Sequence, residues 1–170
     1  MAYNIQIHHG FGSINKALLS ELVQSGFGRH LSTEYLQVAK PSYIILAASN
    51  QSYLGAAVIE EFIPKLLFQD SGKFDSIDYL DKFVVRKELH GNGVGKELWQ
   101  MIDDYSPHLF FRVKADNQKA VNFYLSKKCD VYSAEGKWNV FGKNIPAEHK
   151  AACINYALQK PETLVSTQIC

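Results

Sequence analysis

The residues best placed to do chemistry lie in "RKELHGNGVGKELW", Arg86 to Trp99. Gly91, Gly93 and Gly95 alternate there with Asn92 and Val94, flanked by Arg86, Lys87, His90 and Lys96. Glycine tolerates positive φ and lets a backbone approach a ligand closely. The first amides of a helix have no partner within it and carry the positive end of its dipole. A glycine run that opens a helix therefore suits a pyrophosphate, with cations beside it for reinforcement. Two familiar phosphate loops are excluded. A P-loop needs GxxxxGK[ST], but Glu97 follows Lys96 and no hydroxyl is available for magnesium. A dinucleotide fingerprint needs GxGxxG and an acidic residue ending the next strand, whereas "GNGVG" is spaced differently and "FFRVK" ends in a base. A glycine-rich turn with no ligand stays open on spacing alone.

Other reactive groups lie in apolar surroundings. Lys82 in "YLDKFVV" and Arg112 in "LFFRVK" are cations inside strand-like runs, where an uncompensated charge is costly. Arg112 can bind a carboxylate as a two-pronged fork and Lys82 offers a point charge, so each needs an explanation. The alternative is internal, with Lys82 paired to Asp81 or Asp78 and Arg112 engaged likewise. Tyr124 shares a helix face with Val121 and Leu125, so by pattern it reads first as core filler. The residues suggest no metal site: His8 and His9 lack ligand partners at recognisable spacing, and Cys129, Cys153 and Cys170 are scattered.

The elements that must carry these groups follow from periodicity. "YNIQIHH" reads as a strand with Ile5 and Ile7 on one face. A helix follows through "INKALLSELVQSG", capped by Ser13 and Gly26, and a short one from Ser32 stops before Pro41. "YIILAAS" and "YLGAAVIEEF" form a hairpin, and "IPKLLFQDSGKFDS" a loop. Ile77 to Val85 is apolar on both faces, as in a central strand. Next come a helix from Gly93 or Val94 that buries Val94, Leu98, Met101, Ile102 and Tyr105, a strand "HLFFRVK", a helix from Asn117, and strands "DVYS" and "KWNVFG". A last helix from Pro146 carries Ala147, Ala151, Ile154 and Leu158. The order predicts a mixed α/β fold with at least one parallel strand pair.

The chain's 170 residues suit one well-filled core. Eighteen basic and 17 acidic residues give a net charge of +1, so no global field draws it to nucleic acid or lipid. No apolar run approaches the roughly 20 residues of a bilayer span, and the start lacks a signal-like pattern. The expectation is an unprocessed protein of the cytoplasm, consistent with unpaired cysteines.

"VVRKELHGNGVGKELW" resembles the acetyl-CoA signature of the GNAT acetyltransferase superfamily, a Q/R-x-x-G-x-G/A loop after the fourth strand. "NQKAVNFYLSKKCDV" is similar to a second GNAT landmark, an Asn that starts a helix and a Tyr seven residues on: Asn117 and Tyr124. More narrowly, "SGFGRHLSTEYL", "YLDKFVV", "LWQMIDDYSPHLFFRVKADN" and "KWNVFG" resemble the acetyltransferase domain of N-acetylglutamate synthase, in its vertebrate-like and bifunctional synthase-kinase branch. The resemblance covers roughly residues 20 to 143.

It implies a GNAT acyl-CoA N-acyltransferase fold (α/β, α+β), with a mixed central sheet flanked by helices. Residues 1–145 would form the transferase domain, and 146–170 a C-terminal helix and tail packed on it or on a dimer partner. It implies acetyl-CoA as co-substrate, held by the backbone at Val84 and Val85 and by His90, Gly91, Asn92, Gly93, Val94, Gly95 and Lys96. It implies glutamate bound by Lys82, Arg112, Lys114 and Asn117, with Tyr124 acting on the leaving thiolate. Lys114 stands where that family has a second arginine, "LFFRVK" lacks the family Trp, and the Asn117–Tyr124 spacing is one residue longer than in that branch. The acceptor therefore stays open to another amino acid, a polyamine or a protein amine, and a non-catalytic acetyl-CoA-binding module is the further alternative. No amino-acid-kinase domain accompanies the match. The implied protein is a free-standing enzyme, or a part that borrows regulation by forming a homodimer or joining a separate amino-acid-kinase protein.

Overall fold

Runs of β-branched and aromatic residues become strands, and the glycine-punctuated and Asn-capped segments between them become helices. The structure, a computed structural model, describes residues 2–64 and 76–166. Most of the expected loop "IPKLLFQDSGKFDS" lies outside the described residues. In chain order the elements are β1 (Asn4–His8), α1 (Lys16–Phe27), β2 (Arg29–Leu31), α2 (Tyr35–Val38), β3 (Tyr43–Ala48), β4 (Tyr53–Phe62) and β5 (Ile77–Val85). They continue with α3 (Val94–Tyr105), β6 (Leu109–Lys114), α4 (Gln118–Ser126), β7 (Asp130–Ser133), β8 (Trp138–Lys143), α5 (Lys150–Gln159) and β9 (Leu164–Ser166). Seven strands form one mixed sheet in the order β1-β3-β4-β5-β6-β8-β7. β5 and β6 are the parallel pair the βαβ order requires, with Asp78 opposite Leu109 and Tyr79 opposite Phe110. β2 pairs with β9, which periodicity missed because three residues are too few to show a period.

The chain divides into two compact units. The first comprises Met1–Glu60, Leu80–Tyr105 and Pro161–Cys170. In its core Leu19, Leu22 and Val23 of α1 cluster with Ile44, Leu46, Val58 and Val84 of the strands. α1 lies so close to β5 that a methyl on Gly26 would collide with the Val84 side chain. That approach is why Gly26 is glycine; it does not end the helix. The caps are Asn15, whose side chain accepts from the Ala17 and Leu18 amides, and Gly28 at φ 66°. The N-cap of α2 is Glu34 rather than Ser32, although Ser32 Oγ accepts the Tyr35 amide at 3.2 Å. α3 buries Val94, Leu98, Trp99 and Ile102. Tyr105, expected inside, is 55% exposed. Trp99 takes the place instead, its ring edge-on to Phe83 at 5.8 Å.

The second unit comprises Glu61–Tyr79 and Ser106–Lys160. Its core gathers Ile77, Tyr79, Phe110, Val140, Ile145, Cys153 and Ala157. α5 buries Cys153 and Ala157 rather than the expected Ala147, Ala151 and Leu158. The cause is the 3₁₀ turn over Ala147–His149, which carries the chain into α5 at a different phase from a helix begun at Pro146. Among the described residues no helix is long and apolar enough to cross a membrane.

Candidate active site

In the first unit, β5 delivers the chain to the glycine run. The last part of the strand is anchored by Arg86: its amide donates to Leu54 O at 3.0 Å and its Nε to Tyr53 O at 2.8 Å. Its Nη2 meets Glu21 at 2.9 Å. Arg86 is thus committed to holding β5, β4 and α1 together. A 3₁₀ turn, Lys87–Leu89, follows. His90 folds back so that its Nε2 bonds Val85 O at 3.1 Å.

Gly91 and Gly93 then take φ of 89° and 90°, conformations that suit glycine, and nothing lies within 4 Å of a methyl added to either. That open backbone runs directly into α3, whose first internal bond is Glu97 N to Gly93 O at 3.0 Å. The amides of Val94, Gly95 and Lys96 precede that bond and point out of the helix start. Gly55 on β4 makes room for α3: a methyl there would come within 2.6 Å of Leu98 Cδ1 and 3.2 Å of Val94 Cγ1. A cavity of about 300 Å³ beside the helix start is lined by Tyr3, Leu54, Leu89, Asn92 and Val94. A cleft beside a helix start whose first amides have no partner within the helix can receive an anionic, phosphate-bearing ligand.

Lys82 lies in the same unit, 7% exposed. Its Nζ is 2.7 Å from Asp81 Oδ2, the internal pairing that the sequence allowed. The same carboxylate oxygen accepts the Tyr35 hydroxyl at 2.7 Å, and the ammonium sits 4.6 Å from the Tyr35 ring centre. Asp78, the other possible partner, instead accepts from Ser106 in the second unit at 2.6 Å. Burial holds the Asp78 carboxyl above the usual range, although the Ser106 hydrogen bond opposes the shift.

In the second unit β6 presents Arg112 and Lys114. Arg112 Nη1 donates to the carbonyls of Ala157 at 2.8 Å and Lys160 at 2.5 Å, and its Cζ lies 4.2 Å from the Trp138 ring centre. Lys114 stands opposite Trp138 in register, with Nζ 6.0 Å from the indole. Lys137 Nζ is 5.5 Å from the same ring. Trp138 thus gathers three cations, a role that sequence reading missed because it treated the indole only as a strand residue. Asn117 is the N-cap of α4, its Oδ1 accepting the Ala120 amide at 3.1 Å. Tyr124, on the same helix, is 8% exposed and packs against Phe111, Phe123 and Phe141 at 4.4, 5.3 and 5.9 Å. Burial, with Cys129 nearby, pushes its phenol well above the ordinary range, so it keeps its proton at neutral pH.

The sequence-expected residues therefore fall into two groups. Lys82, Val84, Val85 and 90–96 belong to the first unit, and Arg112, Lys114, Asn117 and Tyr124 to the second. Among the described residues no group of three or more His, Cys, Asp or Glu could hold a metal ion.

Comparison with known proteins gives three kinds of match. Residues 6–154 match the family model described as NAT, N-acetyltransferase, of N-acetylglutamate synthase. Acetylglutamate kinase of Xanthomonas campestris pv. campestris is 29% identical over 150 residues, 86% of this chain and 32% of that protein. Mitochondrial N-acetylglutamate synthase of Mus musculus is 28% identical over 129 residues, 76% of this chain and 22% of that protein. The chain therefore spans about a third or less of these curated relatives. In fold it is similar to Arabidopsis thaliana Naa50 in complex with the bisubstrate analogue CoA-Ac-MVNAL. The TM-score is 0.62 at 16% identity, covering 83% of this chain and 99% of that one.

Proposed function

The chain belongs to the N-acetyltransferase family of N-acetylglutamate synthase, with the GNAT fold, and on that premise we propose that it transfers the acetyl group of acetyl-CoA to the α-amine of glutamate. The observation that carries the reading is the pair of left-handed glycines, Gly91 and Gly93, opening directly onto the start of α3. That backbone can receive the coenzyme pyrophosphate, with His90, Asn92, Val94, Gly95 and Lys96 around it.

The chemistry needs few groups. The neutral amine attacks the thioester carbonyl carbon, a tetrahedral oxyanion forms, and the C–S bond breaks as the amide forms. Backbone N–H groups at Val84 or Val85 polarise the carbonyl. Tyr124 gives its proton to the departing thiolate, and the proton that the attacking nitrogen sheds restores the phenol through solvent. Arg112, Lys114 and Lys82 supply positive charge for the acceptor's carboxylates, and Asn117 a polar contact. Lys114 keeps the charge of the family arginine without its planar fork.

The acetylglutamate kinases among the relatives support a further proposal, association with an amino-acid-kinase protein or with a second copy. Cytoplasmic residence fits the buried free thiols Cys129 and Cys153.

The test is thiol release from acetyl-CoA with and without glutamate, with aspartate, glutamine and spermidine as controls. Glutamate-dependent release that Arg112→Ala abolishes and Tyr124→Phe lowers about 10²- to 10⁴-fold supports the reading. Release with another amine alone leaves the transferase and removes glutamate. Saturable CoA binding with no release for any amine makes the chain a binding module.

A further inference from the structure

The first turn of α3 carries an acid, Glu97. It follows Val94, Gly95 and Lys96, whose amides are the ones a coenzyme pyrophosphate would take, and its own amide closes the turn on Gly93 O at 3.0 Å. A negative charge there favours the helix through its dipole. It also opposes a second anion at the same place, because one helical turn rises only about 5.4 Å, within reach of a Glu side chain. An untethered Glu97 carboxylate would repel the pyrophosphate or swing back over its amides.

Tyr3 provides the tether. Its hydroxyl donates to Glu97 Oε1 at 2.9 Å, across 94 positions of sequence. Tyr3 stands one residue before β1, whose first residue, Asn4, pairs with Ala48 of β3, so the phenol is mounted on the edge of the sheet. Its ring also lines the cavity beside the helix start, together with Leu54, Leu89, Asn92 and Val94. All of these residues belong to the first unit. Burial, and then the hydrogen bond and charge of Glu97, raise the phenol above its ordinary value, so it keeps its proton at neutral pH and stays the donor.

We propose that Tyr3 is a positioning residue for the coenzyme, one that ties the Glu97 carboxylate to the sheet edge and so keeps a competing anion off the helix start. The inference rests on acetyl-CoA binding at the start of α3. It gives a part in coenzyme affinity to a residue far outside the glycine run, and it makes that part conditional: the Tyr3 hydroxyl matters only while residue 97 is charged.

The condition is tested by a double-mutant cycle on the full chain, with the CoA Kd measured by titration calorimetry. Tyr3→Phe keeps the ring in the cavity wall and removes the hydroxyl. It is expected to weaken CoA about threefold to fivefold, the scale of one surface charge released near an anion. Glu97→Gln is expected to bind CoA at least as tightly as wild type, and adding Tyr3→Phe to it should change Kd by less than about 1.5-fold. The loss in Tyr3→Phe should also shrink between about 0.05 and 0.5 M sodium chloride, as a screened charge effect does and a packing defect does not. CoA binding equal in wild type and Tyr3→Phe overturns the proposal. An equal loss in both backgrounds overturns it too, leaving Tyr3 as a wall of the cavity and nothing more. Wild-type protein that does not bind CoA removes the coenzyme reading and the proposal together.

Discussion

Alanine at two glycines of one loop, Gly93 and Gly95, should move stability in opposite directions while weakening the coenzyme at both. Gly93 has φ of 90° with nothing within 4 Å of an added methyl, so any penalty there is conformational and not steric. Holding an L-residue in the left-handed region costs about 1–2 kcal/mol. For a chain of this size each kcal/mol is worth roughly 2–4 °C, so Gly93→Ala should melt about 2–8 °C lower. Gly95 sits in the first turn of α3 without a positive φ, and its added methyl would meet Val85 Cγ2 at 3.5 Å, an ordinary contact. There alanine removes the entropic cost of helical glycine, up to about 1 kcal/mol, and should raise the midpoint by about 1–4 °C. Both should raise the acetyl-CoA Kd about tenfold: Gly93→Ala by relaxing the turn, Gly95→Ala by placing a methyl where the pyrophosphate approaches the helix start. Scanning calorimetry and titration calorimetry on the same samples read both quantities. A more stable Gly95→Ala that binds acetyl-CoA like wild type would refute the helix start as the anion site. A Gly93→Ala protein of unchanged midpoint would refute the strain argument.

Three further outcomes follow from packing and charge. Asp81→Asn should lower unfolding free energy in urea by about 3–5 kcal/mol, because it removes the carboxylate that the buried Lys82 ammonium meets at 2.7 Å, and Asp81→Asn with Lys82→Met should recover most of that loss; additive losses would sink the pairing argument. Gly26→Ala should cost about 1–3 kcal/mol by collision with the Val84 side chain, and Val84→Ala should relieve it, measurable as a positive coupling in a double-mutant cycle. Burial pushes the Cys153 thiol from its ordinary 9.0 up to about 12. Its folded-state value is raised, so its contribution is complete below pH 9 and drains away as pH rises toward 12. Urea midpoints at pH 8 and 10.5 should therefore differ less in Cys153→Ala than in wild type, and equal slopes would remove Cys153 from the alkaline transition.

Much of the architecture could be read from local pattern. The start of α3 at Val94 and the Asn117 cap of α4 each rest on a signal contained within about ten residues, the hairpin of β3 and β4 on two adjacent apolar runs, and the parallel pair β5 and β6 on the strand-helix-strand order. Such signals survive because hydrophobic periodicity, glycine and Asn chemistry act over the same short range as the elements they form. Other readings failed for lack of range. The caps of α1 moved to Asn15 and Gly28 because Gly26 is reserved for the approach of Val84, some sixty residues away in sequence. The buried face of α5 shifted because a 3₁₀ turn changed its phase.

The site divides along the same line. Local spacing was enough for the glycine-rich turn ahead of α3 and for the resemblance to the family, since a turn and a helix start are made by consecutive residues. The sequence also determined which cations sit in apolar strands. The Lys82–Asp81 pairing joins neighbours in the chain and was among those the sequence allowed; only the tertiary structure put the Tyr35 ring beside Lys82, and the end of α5 and the Trp138 indole beside Arg112. Such contacts are set by which distant element packs over a cation, and that depends on how whole helices and strands bury their apolar faces.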